Sequence, residues 1–179
     1  MRDVGVVGWT EAQLAQRAAR LVRTTQPEPV IDGVFVTGPI PRLTDFEDTG
    51  GAFFLDAQGQ GPDPLVDDQA LYFDSAEGTV VVLGCCHAGV VNTLRYVQQL
   101  TQGRPIHAVV GGMHLRQAKP DRMERTLAEL ERQSVPLLAP AHCTGWNAFL
   151  LMQARFGARC QPCAVGRVFE FPPGSGVDG

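Results

Sequence analysis

Thr79-Val80-Val81-Val82-Leu83-Gly84-Cys85-Cys86-His87-Ala88-Gly89 is the stretch that decides how this chain is read. A run of strand-forming residues ends at a glycine, and a helical pattern over residues 90–100 begins directly after the His-bearing loop. The same unit then recurs. Ile106-His107-Ala108-Val109-Val110 is a second expected strand, followed by Gly111-Gly112-Met113-His114-Leu115 and a helix over residues 122–133 with Met123, Leu127 and Leu130 in register. Val135-Pro136-Leu137-Leu138 is a third, followed by Pro140-Ala141-His142-Cys143-Thr144-Gly145 and a helix over residues 146–156. Strands alternating with helices imply βαβ units, and so an α/β domain with a mainly parallel sheet covered by helices.

Working outward, the signals thin. Thr10-Glu11-Ala12-Gln13 fits a helix capping box, with Leu14, Ala18, Leu21 and Val22 at helical spacing. Val34-Phe35-Val36 reads as a short strand closed by Thr37-Gly38. Residues 39–68 show no strong period and read as a long functional loop or a hairpin around residues 52–55. At the other end, residues 168–171 read as a closing strand and 172–179 as a tail, so the domain is expected over 1–171. The N-terminal third is poor in strands, whereas an α/β domain usually opens with a clear one. That suggests part of a larger fold.

Composition narrows the function classes. The 179 residues carry 15 Lys and Arg against 19 Asp and Glu, a net charge of -4, which argues against a nucleic-acid partner. No apolar run approaches a membrane span, and Met1-Arg2-Asp3-Val4 lacks the pattern of a secretory signal, so a soluble cytoplasmic protein is expected. The five cysteines are odd in number and two are adjacent, which fits reduced thiols better than a disulfide framework.

Three of the four histidines share one setting. His87, His114 and His142 each lie just past the C-terminal end of an expected strand, beside Gly or Pro. At that edge of a parallel sheet the loops converge and ligands bind. Three imidazoles there form a candidate metal-ligand set, and Cys85 is a candidate thiolate ligand. Cys86 and Cys143 read as small packing residues, His107 as a structural residue of its strand, and Cys160-Gln161-Pro162-Cys163 as a turn with spare thiols. Arg42 in Gly38-Pro39-Ile40-Pro41-Arg42 is a candidate anion clamp, weighed equally against a solvated surface residue. No G-x-S-x-G, Walker or dinucleotide motif competes.

Together these motifs resemble one branch of the metallo-β-lactamase-fold hydrolases. Residues 84–94, Gly111-Gly112-Met113-His114-Leu115 and Pro140-Ala141-His142-Cys143-Thr144-Gly145 are similar to the branch of 7,8-dihydropterin-6-yl-methyl-4-(β-D-ribofuranosyl)aminobenzene 5'-phosphate synthase-like proteins. Gly38-Pro39-Ile40-Pro41-Arg42 and Phe46-Glu47 are similar to it too. Pro39 stands where the branch usually has Glu, and Cys86 where it usually has Ser. The likeness runs from about Val6 to Phe171 but matches the C-terminal half of the family's αββα sandwich. The H-x-H-x-D-H motif of the first half is absent from the sequence.

The resemblance implies a divalent metal, zinc or else manganese or iron, that activates water or polarises a phosphate oxygen. It makes His142 and His87 late metal ligands and His114 a ligand or substrate contact, with Asn92, Thr144 and Arg42 lining a pocket for a small phosphorylated substrate. The branch's chemistry displaces diphosphate from a dihydropterin-methyl diphosphate with an arylamine. Three function classes follow: a metal-dependent hydrolase or transferase, a non-catalytic remnant that binds an anion or a partner, and a half-domain completed by another chain. An H-x-H-x-D-H stretch encoded upstream of Met1 would favour the first. Without that motif a weak or empty metal site is expected in this chain alone, together with self-association through an exposed sheet face.

Overall fold

The three βαβ-type loops come out where the sequence places them, and the rest of the sheet is assembled beside them. The structure is a computed structural model, and it describes residues 10–49 and 51–174. In chain order its elements are α1 (Glu11–Arg17), β1 (Glu28–Ile31), β2 (Val34–Val36), β3 (Ala70–Ser75), β4 (Gly78–Leu83), α2 (Val90–Leu100), β5 (Ile106–Gly112), α3 (Pro120–Arg132), β6 (Leu137–Ala141) and α4 (Trp146–Phe156). The strands form one sheet in the order β1-β2-β3-β4-β5-β6. No helix among the described residues is long and apolar enough to cross a membrane.

The sheet is not mainly parallel. β1 through β4 pair antiparallel, and only β4–β5 and β5–β6 are parallel. The reason lies in the connections. Asp32-Gly33 and Ala76-Glu77 are two-residue links, too short for anything but hairpins, and Gly33 supplies a φ of 72°. After β4 and β5 the links contain helices long enough to cross over.

Other boundaries moved for local reasons. β1 and β3 were not expected; β3 runs Ala-Leu-Tyr-Phe-Asp-Ser with Ala70, Tyr72 and Ser75 buried and Leu71 and Asp74 exposed. β6 begins at Leu137 because Pro136, just before it, has no N–H to give to a ladder. α3 starts at Pro120, whose missing N–H costs nothing in a first turn. The capping box of α1 is present, but the helix stops at Arg17 with no buried residue, and Leu21 and Val22 lie beyond it, exposed. No strand forms over residues 168–171. Pro172 accepts a bond from the Ala76 N–H and Pro173 makes a single bridge to Ser75, and two prolines cannot extend the ladder.

Paired residues share a face of the sheet, so the register sorts the side chains. Tyr72, Val81, Val109 and Leu138 join the core with Val91, Leu94, Leu127, Leu130 and Met152 of the helices. The opposite face carries Leu71, Phe73, Val80, Val82, Ala108, Val110 and Ala139, also apolar. Phe171 lies edge-on to Phe73 at 5.9 Å and to His107 at 6.0 Å on this side. Leu71 is 38% exposed there. The described residues thus form one sheet with one helical layer, the half-sandwich that the motifs imply.

Candidate metal centre

The loops after β4, β5 and β6 meet at the C-terminal edge of the parallel strands, and each holds a non-glycine residue in the left-handed region: Cys86 at φ 60°, His114 at 47° and His142 at 47°. Gly112 makes the meeting close. A Cβ there would lie 2.5 Å from the Gly84 carbonyl oxygen and 2.7 Å from the Cys143 thiol. Only a glycine lets these loops approach so nearly.

Among the described residues, Cys85, His142 and Cys143 form the one group of potential ligands that converges, with donor atoms all within 4.8 Å of one another. The Cys85 Sγ lies 3.3 Å from His142 Nε2, and the Cys143 thiol donates to the Cys85 carbonyl oxygen at 3.2 Å. His142 is exposed and both thiols are half-buried. Burial pushes the Cys143 thiol up to about 11, and the adjacent Cys85 adds to the effect. A bound cation would reverse that shift by stabilising the Cys143 thiolate. Two thiolates and one imidazole suit a soft or borderline divalent ion, and three protein ligands leave a position open. The residues present therefore fit a metal of that kind.

The structure distributes the expected site residues unevenly. Cys85 and His142 come together, joined by Cys143, which the sequence reading sets aside as a packing residue. Its position directly after His142 is the signal that points to it. His87 and His114 form a second pair, with ring centroids 4.2 Å apart. His87 Nδ1 lies 3.0 Å from the Thr49 carbonyl oxygen, and Phe53 packs edge-on against His87 at 5.0 Å. Phe53 comes from the loop without period and carries no signal of its own. An open cleft of about 320 Å³ runs between His114 and His142, past Phe53, Arg116, Gln117 and Cys143.

The expected pocket residues make hydrogen bonds that brace the loops. Arg42 donates to the carbonyl oxygens of His87 at 2.7 Å and Pro64 at 3.0 Å, tying the long loop to the β4–α2 loop. Asn92 is buried; its Oδ1 accepts from the Leu43 and Thr44 N–H groups and its Nδ2 donates to the Ala88 carbonyl. Thr144, also buried, accepts from the Met113 N–H at 3.0 Å. Glu47 caps α2 from a distance. Its carboxylate accepts from the Val91 N–H at 2.9 Å and the Asn92 N–H at 2.8 Å, and burial raises its pKa. Cys86 is fully buried against Thr93, and burial holds its thiol protonated.

Fold and loops define the class: the chain has the fold of the metallo-β-lactamase superfamily. It is similar to a solved metal-dependent hydrolase of the β-lactamase superfamily, with a TM-score of 0.78 and 26% identity, over 90% of this chain and 62% of that one. In sequence it is similar to the 7,8-dihydropterin-6-methyl-4-(β-D-ribofuranosyl)-aminobenzene-5'-phosphate synthase of Methanocaldococcus jannaschii, 26% identical over 156 residues, which are 85% of this chain and 53% of that protein. The chain thus spans about half the length of the curated relative it matches. No protein-family model matches it.

Proposed function

We propose that this chain carries the metal-binding loops of a metal-dependent hydrolase or transferase acting on a small phosphorylated, pterin-like compound. The observation that carries the reading is the convergence of Cys85, His142 and Cys143 within 4.8 Å at the loop edge of the sheet. We assign the metal as zinc, because a pair of thiolates with an imidazole disfavours harder ions such as manganese. When bound, the metal would supply Lewis-acid polarisation of a phosphate oxygen. The chain's own groups then have distinct roles. Cys85 and Cys143 give up their protons on binding, His142 presents Nε2, and Arg116 in the adjoining cleft brings a fixed positive charge to the phosphate. The five free cysteines suit a reducing compartment, the cytoplasm.

A second reading, in which a further polypeptide completes the site, is favoured by the apolar sheet face opposite the helices and by the absence of an H-x-H-x-D-H motif from the sequence. The missing ligands would then come from that polypeptide or from a second copy.

Metal content per chain by inductively coupled plasma mass spectrometry tests the first reading, in the parent and in Cys85→Ser, His142→Ala and His87→Ala variants. About one equivalent, lost on changing Cys85 or His142 and kept on changing His87, is expected. No bound metal in the parent, or metal indifferent to Cys85 and His142, overturns it.

A further inference from the structure

Cys85 and Cys143 lie 58 residues apart in sequence, on the loops after β4 and β6, yet their Sγ atoms are within 4.8 Å of one another. A disulfide bond is about 2 Å long, so closing the gap takes at most about 3 Å, shared between two side chains on loops. The Cys143 thiol already points across it, donating to the Cys85 carbonyl oxygen at 3.2 Å. Gly112 keeps the gap clear. A Cβ at that residue would lie 2.7 Å from the Cys143 thiol and 3.5 Å from the Cys85 Cα. The other cysteines are set apart. Cys86 turns its thiol into the core, 3.4 Å from Thr93 Oγ1, Cys160 is buried, and neither Cys160 nor Cys163 joins the converging group among the described residues. A small reagent has a way in, because Cys143 lines the open cleft of about 320 Å³ and the exposed His142 meets the Cys85 thiol at 3.3 Å.

We infer that Cys85 and Cys143 are a site of oxidative modification: they close into a disulfide, which withdraws two of the three converging ligands. The oxidant is a small-molecule disulfide such as glutathione disulfide. Cys85 loses its proton, and its thiolate attacks one sulfur of the reagent, breaking that S–S bond and releasing one glutathione thiolate. Cys143 then loses its proton and attacks the Cys85 Sγ, forming the Cys85–Cys143 bond and expelling the second glutathione thiolate. The two protons end on the two glutathione thiolates, so two protein thiols are oxidised and one disulfide is reduced. A sulfur held in a disulfide has no thiolate charge to offer a cation, so oxidation and metal binding exclude each other. That exclusion rests on the metal reading given above; the bond itself does not. In a reducing compartment such a bond is transient and serves as a sensor rather than a staple.

The test incubates the reduced, metal-free chain with glutathione disulfide, blocks the remaining thiols with iodoacetamide, and maps the bonds by mass spectrometry of the peptides. The expected product is a chain lighter by two hydrogens, with the peptides of Cys85 and Cys143 joined within one molecule. A Cys160→Ser, Cys163→Ser double variant should give the same product, and Cys143→Ser should stop at a mixed disulfide of glutathione with Cys85. The decisive mapping is read on the parent, so it stands even if a variant fails to fold, which circular dichroism checks. A parent that stays reduced, stops at the mixed disulfide, pairs Cys160 with Cys163 instead, or forms only bonds between chains overturns the inference. A second arm adds zinc. Because zinc binds only the reduced form, free zinc buffered at about ten times its Kd should lower the apparent equilibrium constant for oxidation about tenfold. Zinc that binds but leaves this constant unchanged overturns the exclusion. If no zinc binds, the metal reading fails by itself, and the mapping alone decides the pair.

Discussion

Replacing Glu47 is the sharpest probe of how this fold holds its site. The carboxylate reaches from the long loop to the first turn of α2, where Gly89 offers no side-chain cap. It accepts the Val91 and Asn92 N–H groups and the Thr44 hydroxyl, and both N–H groups belong to residues at most 1% exposed. Glu47→Ala leaves two donors without water or partner. At about 1–3 kcal/mol for each buried group left unmade, with a small cavity added, the loss should be about 3–5 kcal/mol. Glu47→Gln keeps one acceptor oxygen and should cost less, about 1–2 kcal/mol at neutral pH. The pH dependence gives a second handle. Burial raises the pKa of Glu47 above its ordinary value, so the folded chain binds that proton more tightly than the unfolded one. Its contribution is fully present below the unfolded value and is lost as pH rises through the folded one. The stability of the parent relative to Glu47→Gln should therefore fall as pH rises above the ordinary glutamate range. Urea unfolding followed by circular dichroism between pH 4 and 7 reads both quantities. A Glu47→Ala loss below about 1 kcal/mol would refute the capping argument, and a parent advantage that grows with pH would refute the burial argument.

Gly112→Ala should cost about 2–4 kcal/mol in unfolding free energy and strip the chain of metal, because the new methyl meets the Gly84 carbonyl and the Cys143 thiol; unchanged metal content would show that the loops can yield. Glu129 is held down to about 2, first by its bond from Arg132, so its stabilisation is present above the ordinary glutamate value and lost as pH falls toward 2. Arg132 is 66% exposed, so Glu129→Gln should lower stability at neutral pH by no more than about 1 kcal/mol and flatten the acid limb of the urea profile. The chain should sediment above monomer mass, and Leu71→Lys with Val82→Lys should shift it toward monomer, since the two residues are paired on the face opposite the helices; a parent that sediments as a monomer contradicts this.

What could be read from the sequence depended on how much of each signal was local. Residues 90–100 and 146–156 are helices with the expected bounds, because each has an apolar stripe that buries Val91, Leu94 and Val97 or Phe149 and Met152. The three histidine loops were legible for the same reason: strand, glycine and helix follow each other within a few residues. β1 and β3 were not. β1 has no fully buried residue, and β3 interrupts its alternation at Phe73 and Asp74, so neither shows a clean period. Asp32-Gly33 was the overlooked hairpin signal, and it would have turned the first half of the sheet antiparallel. The hydrogen bonds of Asn92, Thr144 and Arg42 were illegible because a polar side chain that braces a loop looks the same in sequence as one that lines a pocket. Several of their partners, among them Pro64, Leu43 and Met113, lie 22 to 49 residues away.

The backbone of the centre carries the last step of the argument. Cys86, His114 and His142 all occupy the left-handed region, at a cost of about 1–2 kcal/mol for each residue with a Cβ. Glycine would relieve that cost at every one of them, and glycines already serve the neighbouring turns at Gly89, Gly111 and Gly145. At Cys86 a side chain is kept because its thiol fills the core beside Thr93. Neither histidine is needed to fill the core in that way. His142 is exposed and points its Nε2 at the Cys85 thiol, and His114 lies against His87. Leu65, Gln102 and Ser134 share this backbone region at ordinary turns, so we propose, as a reading to be tested, that the strain at the two histidines is kept to present their imidazoles at the edge where three loops meet. The strain therefore makes a prediction independent of any ligand. His142→Gly should raise the stability of the metal-free chain by up to about 1 kcal/mol while removing its metal binding, whereas a purely structural histidine would lose stability on the same change. Urea unfolding with and without zinc separates the two, and a destabilised metal-free His142→Gly chain would place His142 among the braces rather than the ligands.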